Sequence, residues 1–291
     1  MFAPFDVRGK PLTTHISVAE VVFVLYTLYR FSSCVFILPT ETTMQNPTQA
    51  IILAAGKGTR LGSITQNTPK ALVQVGKRTL LDHVRYGLAA VGVTHTVIVV
   101  SHLAEQIEAH LRKTTVPGQT AATVWQPVPQ GTGQACKLAV AKLKPGPTWI
   151  TYADILVEPV EYKRMAQRFV DEPCDLMLAV FEVDDPYQGA AVYVDETGKV
   201  TKIIEKPERG TSTTRLNSAG IYISRSSLFP HLNALLPSAR GEYELPDAIK
   251  ALMDTGGEVR IHKLTGWWAD VGRPDDIERM EQLLKQQKEN V

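Results

Sequence analysis

The sequence predicts a doubly wound, mostly parallel α/β fold of Rossmann-like type, and three observations carry that prediction. Short apolar, β-branched runs alternate with segments whose apolar residues recur at helical spacing. A glycine-rich loop leaves the first of these runs. After about Asp175 the pattern changes, and strands with turn signals between them become frequent.

Taken in order, residues 50–54, 96–100, 122–125 and 149–152 read as buried parallel strands, because they are apolar on both faces. Residues 79–91 read as a helix, with Leu80, Val84, Leu88 and Val91 on one stripe. Thr79 offers a hydroxyl to its first turn, and Gly92 suits its end. Leu103, Ile107 and Leu111 mark a second helix and residues 134–143 a third. Strands joined by helices in this way imply a parallel sheet with helices on both faces. In the second half, residues 176–183, 190–194 and 200–205 alternate as strands, with Asp195-Glu196-Thr197-Gly198 as a turn. Residues 218–223 read as one more buried strand, and residues 226–235, 245–253 and 275–285 as helices. The expected organisation is one α/β domain over residues 44–291, carrying a β-rich insertion that serves as a lid or wall.

Residues 1–43 read differently. The stretch from Val21 to Leu38 is apolar, but it follows Glu20 and contains Arg30, so it makes a poor spanning helix of the required ~20 residues. Three readings stand: an extension outside the native start, which is favoured because Met44 precedes the first strand; an anchor to a membrane or partner; or a signal segment.

Composition narrows the function. The 291 residues are 44% hydrophobic and 21% charged, with a formal net charge of +1. That balance gives no field for nucleic acid or an anionic membrane, so neither is an expected partner. A phosphate-bearing ligand would have to be held by local features. Cys34, Cys136 and Cys174 are far apart and lack metal-ligand spacing, so reduced thiols in a cytoplasmic enzyme are expected. No oligomeric seam is legible, and a homo-oligomer stays open.

The chemistry concentrates in Leu53-Ala54-Ala55-Gly56-Lys57-Gly58-Thr59-Arg60-Leu61. Glycines let a backbone turn sharply and aim successive amides at phosphate oxygens. The glycines at 56, 58 and 62 fit neither the dinucleotide fingerprint nor the G-x-x-x-x-G-K-S/T loop. Thr68-Pro69-Lys70 then presents a second cation on a rigid turn, so that Arg60 and Lys70 together can clamp a triphosphate. Further on, Asp154 stands at the carboxyl end of a strand, where open α/β sheets place their ligands.

L-A-A-G-x-G-T-R-L followed by T-P-K resembles the signature of the sugar-1-phosphate nucleotidyltransferases, or NDP-sugar pyrophosphorylases, and the resemblance runs from about Ala50 to Ile277. It implies that Leu53, Ala54, Ala55, Gly56, Gly58 and Thr59 hold the triphosphate, that Arg60 supports the leaving pyrophosphate and that Lys70 contacts the reacting phosphates. Gln126 with Gln130-Gly131-Thr132-Gly133 is similar to the segment that reads the base in pyrimidine-using members; a side-chain amide offers the donor and acceptor that uracil or thymine requires. Asp154 and Asp270 match the family's two magnesium carboxylates, although Ala153 replaces the usual glycine. Gly189, Glu205, Lys206 and Asn217 match its sugar-phosphate contacts, with Lys206 on the phosphate. Glu242-Tyr243-Glu244-Leu245-Pro246-Asp247 resembles a segment closing the sugar pocket, whereas Trp267 and Trp268 are expected to be core. The implied reaction is attack of a sugar 1-phosphate, glucose before N-acetylglucosamine, on UTP or dTTP. A guanylyl- or cytidylyl-transferring member, or an inactive regulatory relative, is the alternative.

Overall fold

The computed structural model describes residues 45–289; the 1–43 extension, with its apolar stretch, lies outside them. β1 (Gln49–Leu53) leads through 3-10 turns at Thr59–Thr65 and Lys70–Leu72 to a small hairpin, β2 (Gln74–Val75) and β3 (Arg78–Thr79), and then to α1 (Leu80–Ala89). β4 (His95–Val100), α2 (Ala104–Lys113), β5 (Thr120–Trp125), α3 (Thr132–Val140) and β6 (Thr148–Tyr152) follow. Then come β7 (Ile155–Val157), α4 (Pro159–Asp171), β8 (Leu176–Glu182), β9 (Ala190–Val194), β10 (Val200–Glu205) and β11 (Leu216–Ser224). The described chain closes with α5 (Phe229–Asn233), α6 (Leu245–Asp254), β12 (Val259–Lys263), β13 (Trp268–Asp270) and α7 (Pro274–Glu289).

The first half follows the expected plan. β6, β1, β4 and β5 lie side by side and all parallel. Because side chains alternate across a strand, Ile52, Ile98 and Trp149 enter one core with α1, α4 and α7. Ile51, Val97 and Ile150 enter the other, under α3, α5 and α6. Each such fully buried side chain contributes about 1.5–3 kcal/mol. The Thr79 hydroxyl accepts the Asp82 amide at 3.1 Å, capping α1 as expected, and Gly92 leaves it at φ +89°. Residues 226–235 form a 3-10 turn, Ser226–Leu228, and then the short α5, since Pro230 is tolerated only in a first turn.

The β-rich second half does not form a separate layer. β8 to β12 join the same sheet and bring it to nine strands, mixed beyond the parallel core. β11 sets its geometry. Along one side it pairs with β8; along the other it meets β9 at Asn217 and β6 from Ile221 onward. The register breaks between Ser218 and Tyr222, where Gly220 takes φ +74°. A Cβ there would stand 3.0 Å from the Tyr152 ring, so that close approach also calls for glycine. β6 and β9 therefore follow one another along the same edge of β11. The break between Ser218 and Tyr222 thus separates the end of β6 from the β9–β10 wall.

Candidate active site

β13 pairs antiparallel with β7, with Asp270 opposite Ile155, and the Val271 amide donates to the Asp154 carbonyl at 3.0 Å. This pairing brings the two expected metal carboxylates together. Lys70 donates to Asp154 Oδ2, and its Nζ lies 3.5 Å from Asp270 Oδ1. Arg60 Nη2 stands 3.7 Å from Asp270 Oδ2. Burial pushes the Asp270 carboxyl up, and the charge of Asp154 adds to the effect. Lys70 is buried while the Arg60 side chain is 62% exposed, so the first is fixed and the second is free to move.

The glycine loop builds this cluster from below. Gly58 has φ +67°, and a Cβ on it would lie 2.9 Å from Lys70 Cβ, so only glycine lets Lys70 sit so close. Leu53 ends β1, and its carbonyl accepts the Ala153 amide at 2.9 Å, while Ala54 donates to Val99. Those bonds set Ala54 and Asp154 at the same carboxyl edge of the sheet. Ala55 is half-buried, Gly56 has nothing within 4 Å of a Cβ position, and Thr59 opens the 3-10 turn carrying Arg60. Gly272 lies under Arg60, with a Cβ position 3.1 Å from Nη2.

Gln126 follows β5 at this same edge, its amide bonded to Val100. Its side chain is buried, and Nε2 donates to Gln134 Oε1 at 2.6 Å and to the Gly131 carbonyl at 3.4 Å. Gly131 and Thr132 hold chain against chain. The Gly131 Cβ position is 2.5 Å from the Tyr243 carbonyl, the Gly133 amide donates to that carbonyl, and the Thr132 hydroxyl accepts the Leu245 amide at 3.0 Å. The segment expected to read the base thus also anchors the segment expected to close the sugar pocket.

The sugar-side residues converge at the β9–β10–β11 junction. A Cβ on Gly189 would stand 2.6 Å from Asn217 Oδ1, and the Gly189 carbonyl accepts the Lys206 amide at 2.8 Å. Asn217 is 9% exposed, and among the described residues its Oδ1 has no hydrogen-bond partner. Lys206 takes φ +44°, an unusual conformation for a side-chain-bearing residue. Burial pushes the Glu205 carboxyl up, with the charge of Glu244 adding to it. A cavity of about 520 Å³ opens between β10 and α6, lined in part by Glu205, Lys206, Arg240, Glu244, Asp247 and Lys250.

Arg240 escaped the sequence reading. It lies 2.5 Å from Glu244, 3.7 Å from Glu205 and 3.8 Å from Glu242, and so neutralises the acidic wall. Its position just before the Glu242-Tyr243-Glu244 run was the available signal. Trp268 behaves as core, stacked on Phe181 at 4.0 Å and donating to the Ala219 carbonyl.

Residues 49–287 match the family described as Nucleotidyl transferase. The chain belongs to that family.

Some relatives of this nucleotidyl transferase carry sugar-phosphate names. It is 31% identical over 242 residues to the low-salt glycan biosynthesis nucleotidyltransferase Agl11 of Haloferax volcanii, covering 82% of this chain and 67% of that one. It is 30% identical to the UTP–glucose-1-phosphate uridylyltransferase AglF of the same organism, over 82% of this chain and 97% of that one. A mannose-1-phosphate guanylyltransferase catalytic subunit beta of Drosophila pseudoobscura is 30% identical over 81% of this chain, which spans 62% of that protein. A solved structure of a glucose-1-phosphate thymidylyltransferase from Bacillus anthracis superposes with a TM-score of 0.71 at 25% identity, covering 81% of this chain and 94% of that one. Among the described residues no helix is long and apolar enough to cross a membrane.

Proposed function

We propose that this nucleotidyl transferase joins a pyrimidine nucleoside triphosphate, UTP or dTTP, to a sugar 1-phosphate, releasing pyrophosphate and an NDP-sugar. The observation that carries the reading is Lys70 bridging Asp154 and Asp270 at the carboxyl edge of the parallel strands, with the Asn217–Gly189–Glu205 wall further along β11. Glucose 1-phosphate is the favoured sugar and N-acetylglucosamine 1-phosphate the second. AglF, matched over nearly its whole length, supports the base and the first sugar.

Two adjacent carboxylates fit a small, hard cation such as Mg²⁺. Asp270 already feels the charge of Asp154, which a cation would relieve. Among the described residues no third His, Cys, Asp or Glu groups with them, so phosphate oxygens and water would complete the shell. When bound, magnesium would draw charge from the phosphate oxygens and orient both reactants.

The chain's own groups do the rest. The sugar phosphate is anionic, so no general base is needed. Lys70 and Arg60 direct fixed and adjustable positive charge at the α-phosphate and the leaving pyrophosphate. Gln126 meets the base edge, and Lys206 meets the sugar phosphate. Glu205 and Asn217 take the sugar hydroxyls, and the clamp between Thr132 and Leu245 closes the two halves on each other. Holding two repelling anions in line removes most of the entropic barrier. Guanylyl transfer is the second reading, since one relative is named for it.

The test is a pyrophosphate-release panel of UTP, dTTP, CTP, GTP and ATP against several hexose 1-phosphates, run with magnesium and with EDTA. Highest kcat/KM for UTP or dTTP with glucose 1-phosphate is expected. A purine preference would overturn the base assignment, and full turnover in EDTA the metal assignment.

A further inference from the structure

Two cations and two carboxylates meet at the carboxyl edge of the parallel strands, and their charges cancel. Lys70 donates to Asp154 Oδ2 and stands 3.5 Å from Asp270 Oδ1, while Arg60 Nη2 stands 3.7 Å from Asp270 Oδ2. Three of the four carboxylate oxygens therefore already face a protein cation. The Lys70 side chain is 10% exposed against 62% for Arg60, so water screens the arginine far more than the lysine. A divalent cation entering alone would have to take the same oxygens against an ammonium ion already in contact with them. Like charges that close repel strongly where little water lies between them. Magnesium also gives up its own water reluctantly, and carboxylates that are already neutralised pull on it weakly.

A triphosphate reverses that balance. It brings more negative charge than the metal brings positive, and its oxygens offer Lys70 new charge-assisted partners. The lysine lies against the loop expected to hold it: a Cβ on Gly58 would stand 2.9 Å from Lys70 Cβ. That contact fixes the base of the side chain, while its flexible stem leaves the ammonium group able to swing. We infer that Lys70 is a placeholder for the metal, occupying the Asp154–Asp270 pair until a triphosphate draws its ammonium group away. This rests on the reading of Asp154 and Asp270 as the metal carboxylates. Divalent cation and triphosphate then bind with positive coupling, each raising the affinity for the other by the same factor, and one lysine carries most of that coupling.

The measurement is Mn²⁺ binding to the full chain without nucleotide, read from the electron paramagnetic resonance signal of the free ion. Wild type is compared with Lys70→Met, Lys70→Gln and Lys70→Arg. The two neutral variants should bind Mn²⁺ about tenfold or more tightly than wild type, a usual size for coupling between sites. Lys70→Arg keeps the charge and should bind the ion as weakly as wild type. Adding Asp154→Asn to Lys70→Met should abolish the gain. Equal affinity in wild type and both neutral variants would overturn the placeholder role. A gain shared by Lys70→Arg would overturn it too, since space and not charge would then be the cause, and so would a gain that survives Asp154→Asn. The underlying metal reading is judged separately, in the complex with a non-hydrolysable UTP analogue. If Asp154→Asn and Asp270→Asn hold Mn²⁺ there as tightly as wild type, the carboxylates are not its ligands.

Discussion

Lys70 donates to Asp154 across 84 positions of sequence, and the same ammonium stands 3.5 Å from Asp270. Dehydrating a lysine is costly, and two carboxylates offset that cost here. Lys70→Met should lower kcat by about 100- to 1000-fold, the usual effect of removing one charge stabiliser at a transition state. The two carboxylates would then lose their buried cation and keep only the exposed Arg60, so the variant should melt below wild type in EDTA and recover with excess magnesium. Melting unaffected by magnesium, with kcat unchanged, would mark Lys70 as structural only.

Asp154→Asn and Asp270→Asn should both retain the fold and lose most turnover. Asp154 hands its carbonyl, not its side chain, to Val271, so the β7–β13 pairing survives in the variants. Circular dichroism checks the fold and pyrophosphate release the rate. Wild-type rates in both variants would remove the metal from the mechanism.

Gly189→Ala should separate the two substrates. The added methyl would start 2.6 Å from Asn217 Oδ1 and 2.7 Å from its Nδ2, forcing that side chain to move. A rise in KM for the sugar phosphate is expected, with KM for the triphosphate nearly unchanged. Equal rises for both would mean that Asn217 does not belong to the sugar side.

Glu161 gives a dependence on pH. Its side chain is 1% exposed; burial pushes the carboxyl up, but hydrogen bonds from His262, Arg164, Thr265 and the Gly266 amide outweigh burial and hold it below the usual value of 4.5. A carboxyl lowered in the folded state contributes stability that is present above 4.5 and lost as pH falls through the lower folded value. Glu161→Gln leaves buried donors poorly paired, at about 1–3 kcal/mol. Its melting temperature should fall several degrees below wild type at pH 7, and the gap should close in acid. A gap that is independent of pH would show that the carboxylate charge is not what stabilises the Thr265–Gly266 loop.

The parallel half was legible in sequence because its signals are local. Val97, Ile98, Val99 and Val100 mark a strand buried on both faces, and the Thr79 oxygen caps the helix that it begins. The glycine loop and Lys70 were legible for a similar reason, since Gly58 must be glycine where Lys70 packs on it. β2, β3, β7, β12, β13 and α4 were not assigned. β7 and β13 are three residues each and exist only by pairing with one another, which no periodicity reports. The helical spacing of Tyr162, Met165 and Phe169 in α4 was there to be read.

By itself the sequence determined that Asp154 ends a strand, that Gly56 and Gly58 form a loop and that Arg60 and Lys70 follow it, because backbone preference and side-chain alternation act over a few neighbouring residues. Only the tertiary structure decided what those residues meet. The β7–β13 ladder brought Asp270 to Asp154, the β9–β11 pairing brought Asn217 to Gly189, and Tyr243 came to lie against Gly131. Such contacts join chain segments far apart in sequence, and their geometry follows from strand register and close packing across the whole sheet.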